Sequence, residues 1–233
     1  MTDPTKTALV VGASRGLGLG ITERLLERGW RVTATHRRSG AGDLTQLAVR
    51  SDGRLRLETV DIDEPDQVAA LHDRLGESSL DLVLVNAGTT HDRWETVAEV
   101  STETFTRVMV TNALSPMRVI ETFQDLVPEA GTLAVMSSGQ GSVTNNTRLT
   151  GWEIYRASKS ALNQLMRSFA VRHPGDSRTL LLLAPGWVRT DLGGSEAGLS
   201  VQESTAGVAD VIEAQAGVPG LQFLDHRGQI VAW

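Results

Sequence analysis

Thr7-Ala8-Leu9-Val10-Val11-Gly12-Ala13-Ser14-Arg15-Gly16-Leu17-Gly18 is the stretch from which the fold is read. Thr7 to Val11 is short, rich in small and β-branched residues, and ends in glycine, as a buried strand does. Leu17, Ile21, Leu25 and Leu26 then recur at helical spacing, and Gly29 closes that helix. The glycines therefore form a tight turn that carries a strand directly into a helix.

The same alternation continues along the chain. Trp30–His36 and Leu55–Val60 are predicted strands, separated by a polar loop and a short helix near Leu44–Val49. Asp63, Glu64 and Pro65 form a helix start, and Val68, Leu71 and Leu75 supply its apolar stripe. Leu80–Val85 is almost wholly apolar, the pattern of a central strand covered on both faces. A long helix is expected from a Ser101 cap toward Leu126, then a strand at Thr132–Met136 and a second long helix at Trp152–Val171. Thr179–Leu183 and Leu221–Leu224 are the last strands, with a helix between them that opens on the capping-box spacing of Ser200 and Glu203. Arg227-Gly228 reads as a turn. Strands and helices in strict alternation predict an α/β fold, a doubly wound parallel sheet of seven strands with helices on both faces. No repeat or linker interrupts residues 1–233, so one domain is expected.

Composition narrows the function. The 233 residues carry 22 basic and 28 acidic side chains, a net charge of -6, with no long basic run, which argues against a nucleic-acid partner. The absence of cysteine excludes disulfides, thiolate metal sites and cysteine nucleophiles, and the reading calls for no metal. The opening residues lack the features of a signal peptide and no apolar run is long enough to span a bilayer, so a cytoplasmic protein without a membrane partner is expected.

The turn Gly12–Gly18 has the spacing G-x-x-x-G-x-G, with Ser14, Arg15 and Leu17 between its glycines. Backbone without a Cβ approaches a pyrophosphate closely, and a helix N-terminus offers it unpaired N–H groups. A dinucleotide is the ligand this implies. The end of the second strand reads Thr35-His36-Arg37-Arg38, without the acid that binds a ribose 2′-hydroxyl in NAD-specific sites. Arg37, with Arg15 from the loop, fits a 2′-phosphate instead. NADP(H) is the preferred cofactor, with NAD(H) not excluded.

The chain has one tyrosine, Tyr155, and two lysines, Lys6 and Lys159. Tyr155 and Lys159 are four apart on a predicted helix, so phenol and ammonium share a face. With so few of each residue, that spacing arises by chance about once in a hundred placements. A nearby cation stabilises phenolate, so Lys159 is expected to lower the pKa of Tyr155 and make it a proton relay for interconverting a carbonyl and an alcohol.

Together, GASRGLG at 12–18, NAG at 86–88, Asn112, MSSGQGS at 136–142, YRASK at 155–159 and PGWVRTD at 185–191 resemble the short-chain dehydrogenase/reductase family over nearly the whole chain. NTRLTGWEIYRASKSALN, PGWVRTDLGG and the ending HRGQIVAW look most like its small carbonyl-reductase and C-factor-like branch. The resemblance implies Tyr155 as acid/base, Lys159 as its partner and a ribose contact, Ser138 on the substrate oxygen, and Asn112 holding a relay water. It implies cofactor contacts at Asp61 and Ile62, at Asn86, Ala87 and Gly88, at Tyr155 and Lys159 themselves, and at Pro185, Gly186, Val188 and Thr190. Ser137 competes with Ser138 for the substrate role. Val11 stands where the family often has threonine, which predicts one loop hydrogen bond fewer, and the 17 positions from Ser138 to Tyr155 imply an extended loop.

NADPH-dependent reduction of a small carbonyl substrate is thus the leading expectation. The alternative is an NADP(H)-binding redox sensor without turnover. A sugar-nucleotide epimerase or dehydratase would share the Tyr–Lys pair but needs a further substrate domain. Trp94, Trp152, Trp187 and Leu192 are candidates for the pocket mouth, and the resemblance leaves homodimer, homotetramer and monomer open.

Overall fold

Seven strands pair in parallel: β1 (Thr7–Val11), β2 (Arg31–His36), β3 (Leu55–Thr59), β4 (Leu82–Val85), β5 (Thr132–Met136), β6 (Thr179–Ala184) and β7 (Gly220–Asp225). Their order across the sheet is β3-β2-β1-β4-β5-β6-β7. The computed structural model describes residues 5–37, 42–76 and 78–233; Arg38 lies outside them. The helices are α1 (Gly16–Glu27), α2 (Gly42–Arg50), α3 (Pro65–Leu75), α4 (Thr102–Met109), α5 (Ser115–Phe123), α6 (Glu153–Arg172) and α7 (Val201–Gln215).

Alternate strand residues enter two separate cores. Leu9, Val11, Val83 and Val85 face Val68, Ile120, Phe123, Leu162 and Phe169 of α3, α5 and α6. Ala8, Val10, Leu82 and Leu84 face Ile21, Leu25, Leu44, Val208 and Ile212 of α1, α2 and α7. Burial on both faces explains why β4 and β6 are apolar without alternation. The chain starts at the middle strand, moves out to β3, and returns on the other side at β4. Helices therefore diverge between β1 and β4, and a crevice opens at the carboxyl ends of those two strands, where such sheets bind ligands.

The long helix expected from Ser101 to Leu126 is not continuous. Ser101 caps α4 through its side chain, but a π-turn at Val110–Leu114 separates α4 from α5, and a 3₁₀ turn follows at Gln124–Leu126. Pro116 gives the physical reason. It has no N–H for the Asn112 carbonyl four residues back, and its ring crowds that carbonyl. The wider turn, closed by the Ser115 N–H on the Val110 carbonyl, relieves both.

Candidate active site

The glycine turn sits over the crevice because no side chain fits there. Gly12 has φ +85°, and a Cβ on it would lie 2.7 Å from Ala87 Cα. A Cβ on Gly18 would lie 2.1 Å from the Gly12 carbonyl oxygen. The Asn86 amide donates to that same oxygen at 2.8 Å, and the Asn86 and Ala87 N–H groups donate to Val11 O, so the loops after β1 and β4 are fastened together. In place of a threonine at position 11, Thr35 braces the turn. Its Oγ1 accepts from Gly12 N–H at 3.1 Å and its carbonyl from Ala13 N–H at 2.8 Å. No side chain caps α1, so the backbone N–H groups of its first turn, from Gly16 and Leu17 onward, face the crevice end uncovered, beside Ser14. This cradle fits a pyrophosphate.

Arg15 and Arg37 are both exposed, on adjacent strand ends, with no carboxylate at the end of β2. Arg15 has a partner the sequence did not reveal: its guanidinium meets Asp191 at 2.8 Å, both side chains more than 70% exposed. An exposed pair of this kind contributes little and yields readily to a doubly charged phosphate. Asp191 ends the segment that follows β6. There Pro185 and Val188 are buried, Gly186 (φ +85°) is exposed, and the Thr190 methyl would sit 3.5 Å from a Cβ on Gly16. That segment thus closes over the glycine turn.

On the far side of the crevice, Asp61 accepts from Asp63 N–H at 3.1 Å, closing a turn, while the Ile62 side chain is buried in the core, leaving only its backbone at the edge. Gly88 is exposed beside Asn112 and Lys159. A Cβ there would lie 3.3 Å from Asn112 Oδ1 and 3.7 Å from Lys159 Nζ.

The structure brings Asn112, Ser138, Tyr155 and Lys159 to the carboxyl ends of β4 and β5. The Tyr155 hydroxyl is hydrogen-bonded to the Ser138 side chain. Ser137 faces the other way, buried, its hydroxyl donating to Asn163 Oδ1 at 2.6 Å. Lys159 Nζ lies 5.8 Å from the Tyr155 ring centroid and donates to Met136 O at 2.8 Å. Asn112, fully buried on the π-turn, accepts from Thr89 N–H (2.7 Å) and donates to Thr89 O (2.9 Å) and Ser158 Oγ (3.0 Å). Ser158 in turn donates to Tyr155 O at 2.7 Å. Both amide hydrogens of Asn112 are spent on this bracing.

Electrostatics correct one expectation. Tyr155 is not lowered: burial pushes its phenol up to about 12, and the Ser138 hydrogen bond only partly offsets this. The same burial lowers Lys159 to about 8. At neutral pH the pair holds a neutral phenol, a proton donor, beside a largely protonated amine.

These shifts predict an alkaline stability profile. Between pH 8 and 10.5 the unfolded chain holds a proton on Lys159 that the folded chain has lost, so stability rises with pH. Between pH 10 and 12 the folded chain retains the Tyr155 proton that the unfolded chain loses, so stability falls. With one tyrosine and two lysines in the chain, few other groups titrate there. Thermal melts of the protein without cofactor are expected to show a maximum near pH 10, and Lys159→Met should abolish the rising limb. A flat profile in the unaltered protein would contradict the burial of Lys159.

Sequence reasoning placed Trp152 at the pocket mouth but missed its backbone conformation and its neighbour His91. Trp152, immediately before α6, adopts φ +64°, and its ring stacks edge-on to Tyr155 (6.3 Å between centroids) and to His91 (6.0 Å). Gly151 before it was the available signal, since a positive-φ pair shapes the approach to the helix. Trp94 and Trp187 are exposed on the loops after β4 and β6, and Leu192 is exposed beside Asp191.

Known proteins match this arrangement. The sequence profile of the family described as short chain dehydrogenase aligns with residues 6–197. A solved short-chain dehydrogenase/reductase from Burkholderia multivorans with bound NADP is 51% identical, with 99% of this chain and 100% of that one covered and a TM-score of 0.96. A carbonyl reductase from Pseudomonas aeruginosa PAO1 in complex with NADP is 40% identical, covering 98% and 100% of the two chains, with a TM-score of 0.91. The C-signal protein of Myxococcus xanthus is 32% identical over 66% of this chain and 93% of its own. The chain belongs to the short-chain dehydrogenase/reductase family, in its carbonyl-reductase and C-factor-like branch. It is an oxidoreductase of that family, and among the described residues no helix is long and apolar enough to cross a membrane.

Proposed function

We propose that this oxidoreductase reduces a carbonyl compound, aldehyde or ketone, to its alcohol with NADPH. The observation that carries this reading is the hydrogen bond between the hydroxyls of Tyr155 and Ser138, with the Lys159 amine on the next helical turn beside exposed Gly88.

NADPH, when bound, supplies a hydride to the carbonyl carbon. The residues do the rest. The Ser138 hydroxyl holds the carbonyl oxygen and polarises it. Tyr155, neutral at working pH, gives its phenolic proton to that oxygen as the C–H bond forms, so the product leaves as the alcohol. The Lys159 ammonium stabilises the phenolate left behind, and Asn112 fixes the strand-end loop against α6. The uncapped start of α1, Gly12, Gly16 and Gly18 take the pyrophosphate, while Arg15 and Arg37 take the 2′-phosphate in exchange for the Arg15–Asp191 pair. Asp61 and the Ile62 backbone would border the adenine, Asn86, Ala87 and Gly88 would line its path through the crevice, and Pro185, Gly186, Val188 and Thr190 would hold the nicotinamide. The NADP in the two similar structures supports the cofactor choice.

The cofactor part is tested by titrating NADPH and NADH separately into the protein. Removing one guanidinium from an exposed phosphate site is expected to cost roughly tenfold in affinity. Arg37→Ala and Arg15→Ala should each weaken NADPH by about that factor and leave NADH unchanged. Equal losses for both cofactors would remove the 2′-phosphate argument.

A further inference from the structure

Asp63, Glu64 and Pro65 open α3, and an acid at such a place commonly serves its own helix. Asp63 does something else. Its Oδ2 accepts from Thr111 Oγ1 at 2.6 Å and its Oδ1 from Ser115 Oγ at 2.7 Å. Both oxygens of one carboxylate are thus spent on the segment that joins α4 to α5. Hydroxyl bonds to an ionised carboxylate are short and about twice as strong as neutral ones, and these two have that length.

The two hydroxyls flank Asn112. Thr111 precedes it on the π-turn Val110–Leu114, and Ser115 begins α5 immediately after that turn. Pro116 deprives this stretch of one backbone donor, so side-chain bonds carry more of the task of fixing it. Asn112 and Ser115 are fully buried. From Asn112 the bracing already described runs to the Thr89 backbone and, through Ser158, to the Tyr155 carbonyl. Asp63 therefore stands at the outer end of a continuous set of bonds whose inner end is the helical turn bearing Tyr155.

We propose that Asp63 is a positioning residue for the reaction: by gripping Thr111 and Ser115 it sets the π-turn, and through Asn112 it holds the loop after β4 and the Tyr155 turn of α6 in register. The bond from Asp63 to the Asp61 side chain is made by its backbone N–H and survives substitution of its own side chain. The effect of losing the carboxylate therefore falls on the chemistry and not on the cofactor. A misplacement of about 1 Å, caused by a change far from the reacting atoms, can cost about a hundredfold in rate.

This inference rests on the carbonyl-reductase reading, and the single tyrosine of the chain lets the two be separated, because tyrosine labelled with carbon-13 at Cζ gives one resonance, that of Tyr155. Asp63→Ala removes the carboxylate, and Thr111→Val combined with Ser115→Ala removes the hydroxyls and leaves the carboxylate in place. In both, kcat is expected to fall about tenfold or more, with the NADPH dissociation constant changed by less than about twofold and the Tyr155 resonance shifted. All three substitutions together should cost no more than Asp63→Ala alone. Asp63→Asn, whose amide oxygen still accepts a hydroxyl, should retain part of the rate. His72→Ala is the control. It removes the bond at 3.0 Å from the same helix to Asp125 without touching the π-turn, and should leave kcat and the resonance as they are. Stabilisation by NADPH reports an intact fold, and if Asp63→Ala does not fold, the hydroxyl variant and Asp63→Asn decide. An unchanged kcat and resonance in the carboxylate and hydroxyl variants, or equal changes in His72→Ala, overturns the inference and leaves the reductase reading standing. If the unaltered protein reduces no aldehyde, ketone or quinone, the reductase reading falls, and the resonance alone decides whether Asp63 holds Tyr155.

Discussion

Tyr155→Phe is expected to lower kcat for carbonyl reduction about a thousandfold while leaving NADPH-induced thermal stabilisation intact. The substitution removes one oxygen, and that oxygen is the proton source of the proposed reaction; positioned acid catalysis contributes about 10²–10⁴-fold. The ring remains, so its contact with Trp152 and the backbone bond from Ser158 survive. The cofactor cradle, built from the turn after β1 and the loops after β4 and β6, does not involve the phenol oxygen. Steady-state rates with NADPH and any accepted ketone check the first half, and melting with and without NADPH checks the second. A redox sensor without turnover would show neither activity in the unaltered protein nor a loss on substitution.

Gly18→Ala is the second large effect. Its Cβ would stand 2.1 Å from the Gly12 carbonyl oxygen and 2.7 Å from the Asn86 side-chain nitrogen, against atoms that hydrogen-bond each other. Neither neighbour is the free end of a flexible chain, so the turn itself must move. Forced overpacking of this kind costs about 1–3 kcal/mol of stability. The larger consequence falls on binding, because the displaced turn carries the N–H groups offered to the pyrophosphate. NADPH affinity is expected to fall at least tenfold, measured by titration. Gly42→Ala, at the start of α2 with open space around it, is the control and should change neither quantity.

Most of the fold was legible because both-face burial leaves a strong mark. β4 and β6 are read from unbroken apolar runs, and β1 from its run into the glycines. The errors fell where local chemistry overrode periodicity. The apolar spacing of residues 102–126 is helical throughout, yet Pro116 denies the Asn112 carbonyl its donor and opens a π-turn there. Site residues were legible where scarcity made them conspicuous: one tyrosine and two lysines point to a single helix face. The choice between Ser137 and Ser138 was left to family resemblance, because adjacent strand residues point to opposite sides. The fold separates them, with Ser137 bonded to Asn163 and Ser138 to Tyr155. The His91–Trp152 contact and the Arg15–Asp191 pair were invisible in sequence, since each depends on loops after different strands meeting in space. The direction of the Tyr155 shift was misread for a related reason. Sequence spacing puts a cation on the same helix face, but does not show that the phenol is buried, and burial sets the direction.

The central claim is that a hydride passes from NADPH to a carbonyl carbon in this crevice. The most direct test is to supply NADPH deuterated at the transferring carbon, on each face in turn, and analyse the alcohol by mass spectrometry. Transfer of a single deuterium to the carbinol carbon from one face only, at a rate that collapses in Tyr155→Phe, is the predicted result. NADPH that binds and stabilises the protein but is never consumed with any aldehyde, ketone or quinone would contradict it and leave a nucleotide-binding protein without turnover.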